Sequence, residues 1–187
     1  MLKQLKKQFE SEKKDKNIFD IIIYGSSVKG KTKARDIDVL VIFLDGSLRE
    51  RLDKIQDIKG KVRNKTENVD IKQIMLTELF SSDFFARTGV LLEGVSIFKG
   101  KKFSEILGFK GFTLFWYNLS NLNHTQKVKF NYILSGRGES KGMIKELNGE
   151  RLVNGAIKIP IENSLEFEEI IRKNNIDYKK KNVLEES

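Results

Sequence analysis

Two short apolar runs, joined by a glycine–serine turn and a basic loop, limit what this chain can fold into more than any other feature. The first, Phe19-Asp20-Ile21-Ile22-Ile23, is rich in β-branched residues and reads as a buried strand. Gly25-Ser26-Ser27 breaks that strand, a loop carrying Lys29, Lys31, Lys33 and Arg35 follows, and a second strand, Val39 to Leu44, begins just after Asp36-Ile37-Asp38. Strand residues alternate faces, so Asp36 and Asp38 project to one side while Ile37 turns to the interior. Two carboxylates sharing a face at the start of a buried strand repel each other. A cation between them relieves that repulsion, and oxygen ligands of this kind suit Mg²⁺ or Mn²⁺.

The turn supplies a second set of groups. Gly25 permits close backbone approach to a ligand and can adopt positive φ. Ser26 and Ser27 add hydroxyls and backbone N–H groups able to hold phosphate oxygens. Phosphate donors and a carboxylate pair on neighbouring strands together describe a site for a nucleoside triphosphate with its metal.

Gly25-Ser26, a spacer, and Asp36-Ile37-Asp38 leading into an apolar strand resemble the signature of the DNA polymerase beta-like nucleotidyltransferase superfamily, in particular its minimal members. The resemblance spans roughly the first hundred residues, an ordinary domain length. It implies a third carboxylate on a later strand, and Asp70 in Asn68-Val69-Asp70-Ile71 occupies that place. It further implies transfer of a nucleoside monophosphate from an NTP to a hydroxyl. Asp36, Asp38 and Asp70 then act as catalytic and metal-holding residues for two Mg²⁺ or Mn²⁺ ions. Gly25, Ser26, Ser27, Lys29, Lys33 and Arg35 act on the nucleotide.

The resemblance implies an α/β (α+β) fold with a small mixed sheet flanked by helices over residues 1–107; the residues themselves read as a small α/β or winged-helix-like module over 108–178 and a mobile basic tail over 179–187. Leu2, Leu5 and Phe9 fall at helical spacing and predict a helix over Leu2–Lys16. Ser47 is placed to cap a helix whose stripe is Leu48, Leu52, Ile55, Ile58 and Val62. Val69–Leu76 reads as the third strand, Glu78–Leu92 as a packed helix and Val95–Phe98 as a short strand.

In the second half, Phe112, Phe115, Trp116 and Tyr117 are placed either to stack bases or to fill a core. His124–Leu134 reads as a helix with Val128, Tyr132 and Ile133 inward. A loop follows, Ser135-Gly136-Arg137-Gly138-Glu139-Ser140-Lys141-Gly142, in which Arg137 and Lys141 are candidate nucleic-acid contacts. Pro160 argues that the strand Ala156–Ile161 lies at a sheet edge. Asn163 or Ser164 is placed to cap a final helix, Leu165–Lys173.

The formal charge of +9 favours a polyanionic partner, although lysine-rich, heat-adapted proteins reach such values without one. With no cysteine and one histidine, the 187-residue chain excludes disulfides and zinc sites built on several such ligands. No stretch has the length or apolarity of a signal peptide or a membrane span, which leads to the expectation of a cytoplasmic protein acting away from membranes. The expected acceptor is an RNA end, with RNA favoured over DNA. The alternatives are a protein hydroxyl, as in antitoxin-type members of the superfamily, and a non-catalytic nucleic-acid-binding protein on the same scaffold.

Overall fold

The two apolar runs form adjacent strands. β1 (Ile18–Tyr24) and β2 (Ile37–Phe43) pair antiparallel, with Ile22 opposite Leu40. The structure, a computed structural model, describes residues 6–25, 28, 36–63, 69–138 and 140–187. The chain divides into two units, Met1–Gly108 and Phe109–Ser187.

In the first unit the strand order is β3-β2-β1-β4, with β3 (Val69–Met75) parallel to β2 and β4 (Val95–Ser96) antiparallel to β1. A parallel pair needs a crossover, and helix α1 (Leu48–Arg63) provides it. A capping box opens α1: the Ser47 backbone N–H donates to Glu50 Oε2 at 2.7 Å, and Ser47 Oγ accepts from the Glu50 N–H at 3.3 Å. Of the expected stripe, Ile55, Ile58 and Val62 are buried, whereas Leu48 and Leu52 on the first turns are exposed.

Both faces of this sheet are covered. Ile21, Ile23, Val39, Val41 and Ile71 share one core with α1, and Ile22, Leu40, Ile42 and Ile74 share a second with Leu79, Val90 and Phe103. That double burial explains why β1 and β2 read as continuous apolar runs rather than alternating ones. Asp20 is the exception in β1. It is 1% exposed, and Ser96 Oγ donates to its two carboxylate oxygens at 2.9 and 2.8 Å, pinning β4 to β1.

Three expectations for this unit change. Within the predicted N-terminal helix, residues 6–8 are helical and Glu12–Lys14 form a 3₁₀ turn; Phe9 is buried, and Leu2 and Leu5 lie outside the described residues. The predicted helix Glu78–Leu92 shrinks to α2 (Arg87–Glu93), and residues 76–80 form turns. A short polar side chain competes with helix there: Ser81 Oγ accepts from the Asp83 N–H. Phe80 and Phe85 are therefore exposed rather than packed. The predicted strand Val95–Phe98 is two residues long and leads through a turn to α3 (Phe103–Ile106).

The second unit takes the sheet-and-helix form of the two expected for it. Strands β5 (Phe109–Asn118), β6 (Glu150–Val153), β7 (Ala156–Pro160) and β8 (Asp177–Glu186) make an antiparallel sheet in the order β6-β7-β5-β8. Helices α4 (His124–Ser135), α5 (Gly142–Glu146) and α6 (Ser164–Lys173) contribute to its core. Phe115 fills that core with its ring centroid 4.9 Å from Phe167, so it is no stacking platform, whereas Trp116 is 43% exposed. Helix α4 buries Phe130 and Leu134, one turn apart, and leaves Tyr132 exposed.

β7 is an interior strand, not an edge. Its Pro160 is tolerated because β6 pairs no further along β7 than Lys158, so no donor is missing where proline has none. At α6 neither expected cap forms: Asn163 Nδ2 donates to the Leu147 carbonyl and Ser164 Oγ to that of Ile161. The residues from Lys179 onward are no tail but most of β8. Lys180 points to the helix side, where its Nζ lies 2.6 Å from Glu168 Oε2, and the alternating Lys179 and Lys181 keep an edge strand soluble.

Candidate active site

The carboxylates gather at one end of the first sheet through strand register. Asp38 lies opposite Tyr24 of β1 and opposite Asp70 of β3. Ile37 is buried, so alternation turns Asp38 to the other face, which Asp70, Lys72 and Tyr24 also occupy. Asp36, exposed, immediately precedes β2.

Gly25 follows β1 with φ +79, a conformation that side chains other than glycine rarely adopt. A Cβ at this position would overlap Asp38 Oδ2, so the carboxylate rests against bare backbone. The positive φ favours glycine here, and any larger residue would also push the Asp38 carboxylate aside. Ser26, Ser27, Lys29, Lys33 and Arg35, predicted for the nucleotide, lie outside the described residues.

Burial pushes the Asp38 carboxyl above its ordinary range, the Lys72 ammonium pulls it back, and the Asp70 and Asp36 charges raise it further. Tyr24 is likewise raised, chiefly by burial. Lys72 Nζ sits 3.3 Å from Asp70 Oδ2, and that contact raises the lysine. Lys72 and Tyr24 were not singled out in the sequence. The signal for Lys72 was present, since it stands two residues after Asp70 on a strand and therefore on the same face.

Among the described residues, no three His, Cys, Asp or Glu side chains form a ready-made metal cage. Mg²⁺ rarely uses one; it binds through one or two carboxylates together with substrate phosphates and water. Asp38 and Asp70, in register, with the Asp38 charge made costly by burial and neighbouring carboxylates and a lysine already beside Asp70, fit such an ion as a donor set. Arg137 and Lys141 belong to the second unit. The Arg137 guanidinium lies 5.0 Å from the Tyr132 ring centroid, and Lys141 is exposed just before α5.

A mixed sheet bearing Asp-x-Asp at a strand start, a third aspartate in register on the parallel neighbour and a glycine beneath the central carboxylate defines a nucleotidyltransferase core. The family model of the nucleotidyltransferase domain matches residues 2–88, and the N-terminal half of this chain is such a domain, of the polymerase beta-like superfamily. No curated protein and no solved structure matches the chain.

Proposed function

We propose that the protein transfers a nucleoside monophosphate from an NTP to a hydroxyl of nucleic acid, an RNA end, in a reaction dependent on Mg²⁺ or Mn²⁺. The observation that carries this reading is the Asp38–Asp70 register with Gly25 packed under Asp38. Asp36, Asp38 and Asp70 hold the two ions, which when bound screen the phosphates and acidify the attacking hydroxyl. The acceptor oxygen attacks the α-phosphorus, the bond to the β-phosphate bridge breaks, and pyrophosphate leaves with that electron pair. Asp70 takes the acceptor proton. Gly25, Ser26 and Ser27 hold the β- and γ-phosphates, and Lys29, Lys33 and Arg35 offset the charge that grows on them. Lys72, 3.3 Å from Asp70 Oδ2, orients that carboxylate between turnovers. The net charge of +9 supports a polyanionic acceptor.

The test supplies the protein with Mg²⁺ or Mn²⁺ and each α-labelled NTP, with total RNA and whole-cell protein extract in separate reactions. Label on RNA, absent with the Asp36→Asn/Asp38→Asn double variant, is expected. Label on a protein band instead would replace the nucleic-acid acceptor with a protein hydroxyl. If the double variant kept near-native transfer, the roles given to these aspartates would be wrong.

A further inference from the structure

The second unit contains a cleft of roughly 620 Å³, within the usual range for small-ligand sites. It is assembled from β5, the segment after it, α4 and the β6–β7 hairpin. Its polar lining is selective. Tyr117 and Tyr132 offer aromatic surface, the Asn131 and Asn154 amides each donate and accept, and Arg151 supplies a guanidinium. Among the described residues, no carboxylate lines the cleft.

Arg151 is held in place, its Nη2 donating to Ser135 Oγ at 3.1 Å. A second guanidinium, Arg137, lies 5.0 Å from the centroid of the Tyr132 ring. The Tyr117 hydroxyl is kept protonated chiefly by burial, against the pull of Arg151. Beside the cleft the glycine-rich loop is closed tightly on itself. Gly136 and Gly142 have φ +82 and +67, and a Cβ on Gly136 would overlap the Ser140 carbonyl. That packing fixes one wall in advance, which lowers the ordering cost of binding.

A fixed guanidinium, planar aromatic faces and amides able to read a heterocycle edge favour an anionic, planar ligand and exceed what an apolar one needs. They match the parts of a nucleotide: a phosphate for arginine, a base face for tyrosine, and base edges for asparagine. We propose that this cleft binds one phosphorylated nucleoside unit, its phosphate on Arg151 and its base between Tyr132 and the Asn131 and Asn154 amides. The unit is either a free nucleotide or one residue of a single strand. The site is built from residues of the second unit, includes none of the aspartates and does not depend on their activity.

The experiment uses the full chain carrying Asp36→Asn and Asp38→Asn, in EDTA, so that no turnover intervenes. Fluorescence anisotropy with a labelled single-stranded 12-mer RNA, and calorimetry with AMP, GMP, CMP and UMP, distinguish the two sources. Binding of the RNA alone assigns a strand, and binding of a monophosphate assigns a free nucleotide; either supports the site. Arg151→Gln and Tyr132→Ala should each weaken binding by about tenfold, the scale of losing a phosphate contact or a stacked base, while Tyr132→Phe keeps it. Asn131→Ala, at an exposed helix position, gives a second, fold-neutral reading and should weaken binding several-fold. Lys145→Gln on α5 removes the same charge away from the cleft and should change affinity less than about twofold. The proposal is overturned if neither ligand class binds, or if Lys145→Gln weakens binding as much as Arg151→Gln with Tyr132→Ala and Asn131→Ala unchanged.

Discussion

Asp38 is placed where folding and chemistry make opposite demands. Its charge is half-buried and close to two other carboxylates, so the ionised form is a cost that the folded domain bears. Because its folded pKa is raised, the stability linked to its protonated form is present at low pH and lost as pH rises through the folded value. Asp38→Asn should therefore abolish transfer, by about 10³-fold or more. It should also raise the melting temperature at pH 7 without metal by on the order of 1–3 °C. Paired melts at pH 7 and pH 3.5 check the sign: the gain should shrink at the lower pH. Gly25→Ala makes the complementary case. Positive φ and the overlap with Asp38 Oδ2 act together, and a loss of about 1–3 kcal/mol in denaturant unfolding is expected along with activity.

At the scale of elements, helix starts and one buried glutamate fix the pieces. The Ser47–Glu50 box and its counterpart on α4, where Asn123 Oδ1 accepts from the Gln126 N–H at 2.9 Å, set where two helices begin. Ser47→Ala should cost about 1 kcal/mol by urea unfolding. Glu168 of α6 gathers Arg172 Nη2 at 2.7 Å, Tyr178 OH at 2.5 Å and Lys180 Nζ at 2.6 Å. It thereby ties β8 to its helix. Because Arg172 and Lys180 are partly exposed, Glu168→Ala should cost about 1–3 kcal/mol rather than the full value of a buried pair. It should also speed hydrogen exchange along β8.

At the scale of the molecule, acid separates the two units. Burial raises Glu168, but the bonds from Lys180 and Tyr178 and nearby charges outweigh it, and its pKa ends lowered. The stability it contributes is present above the ordinary carboxylate value of about 4.3 and lost as pH falls through the depressed one. Trp116, the single tryptophan, lies in the same unit and reports on it. Its fluorescence should therefore show weakening stability from about pH 5 downward, flattened in Glu168→Gln. The first unit balances opposing groups: Glu12 is lowered, while Asp20 is raised by burial and gains from acid. Its acid response should be shallower, measurable by exchange at β1 and β2 amides. Among the described residues, no helix is long and apolar enough to cross a membrane.

The sequence by itself determined whatever depends on neighbours along the chain. Alternation about Ile37 set the facing of Asp38, β-branched runs set β1 and β2, and Ser47 with Glu50 set the start of α1. Where local preferences competed, reading failed: the serines and aspartate after Leu79 shortened a predicted helix, and β8 lacked an apolar period because its helix-facing Lys180 pairs with Glu168 instead of packing an apolar side chain. Tertiary structure decided the rest. Asp70 came opposite Asp38 only through the parallel β2–β3 register, across a crossover helix that no spacing rule measures. Pro160 found a place inside a sheet because β6 is short. Tyr117, Asn131, Arg151 and Asn154, scattered over four segments, came to share one cleft. Sequence periodicity chooses the face on which a side chain emerges; packing of distant elements chooses what that face meets.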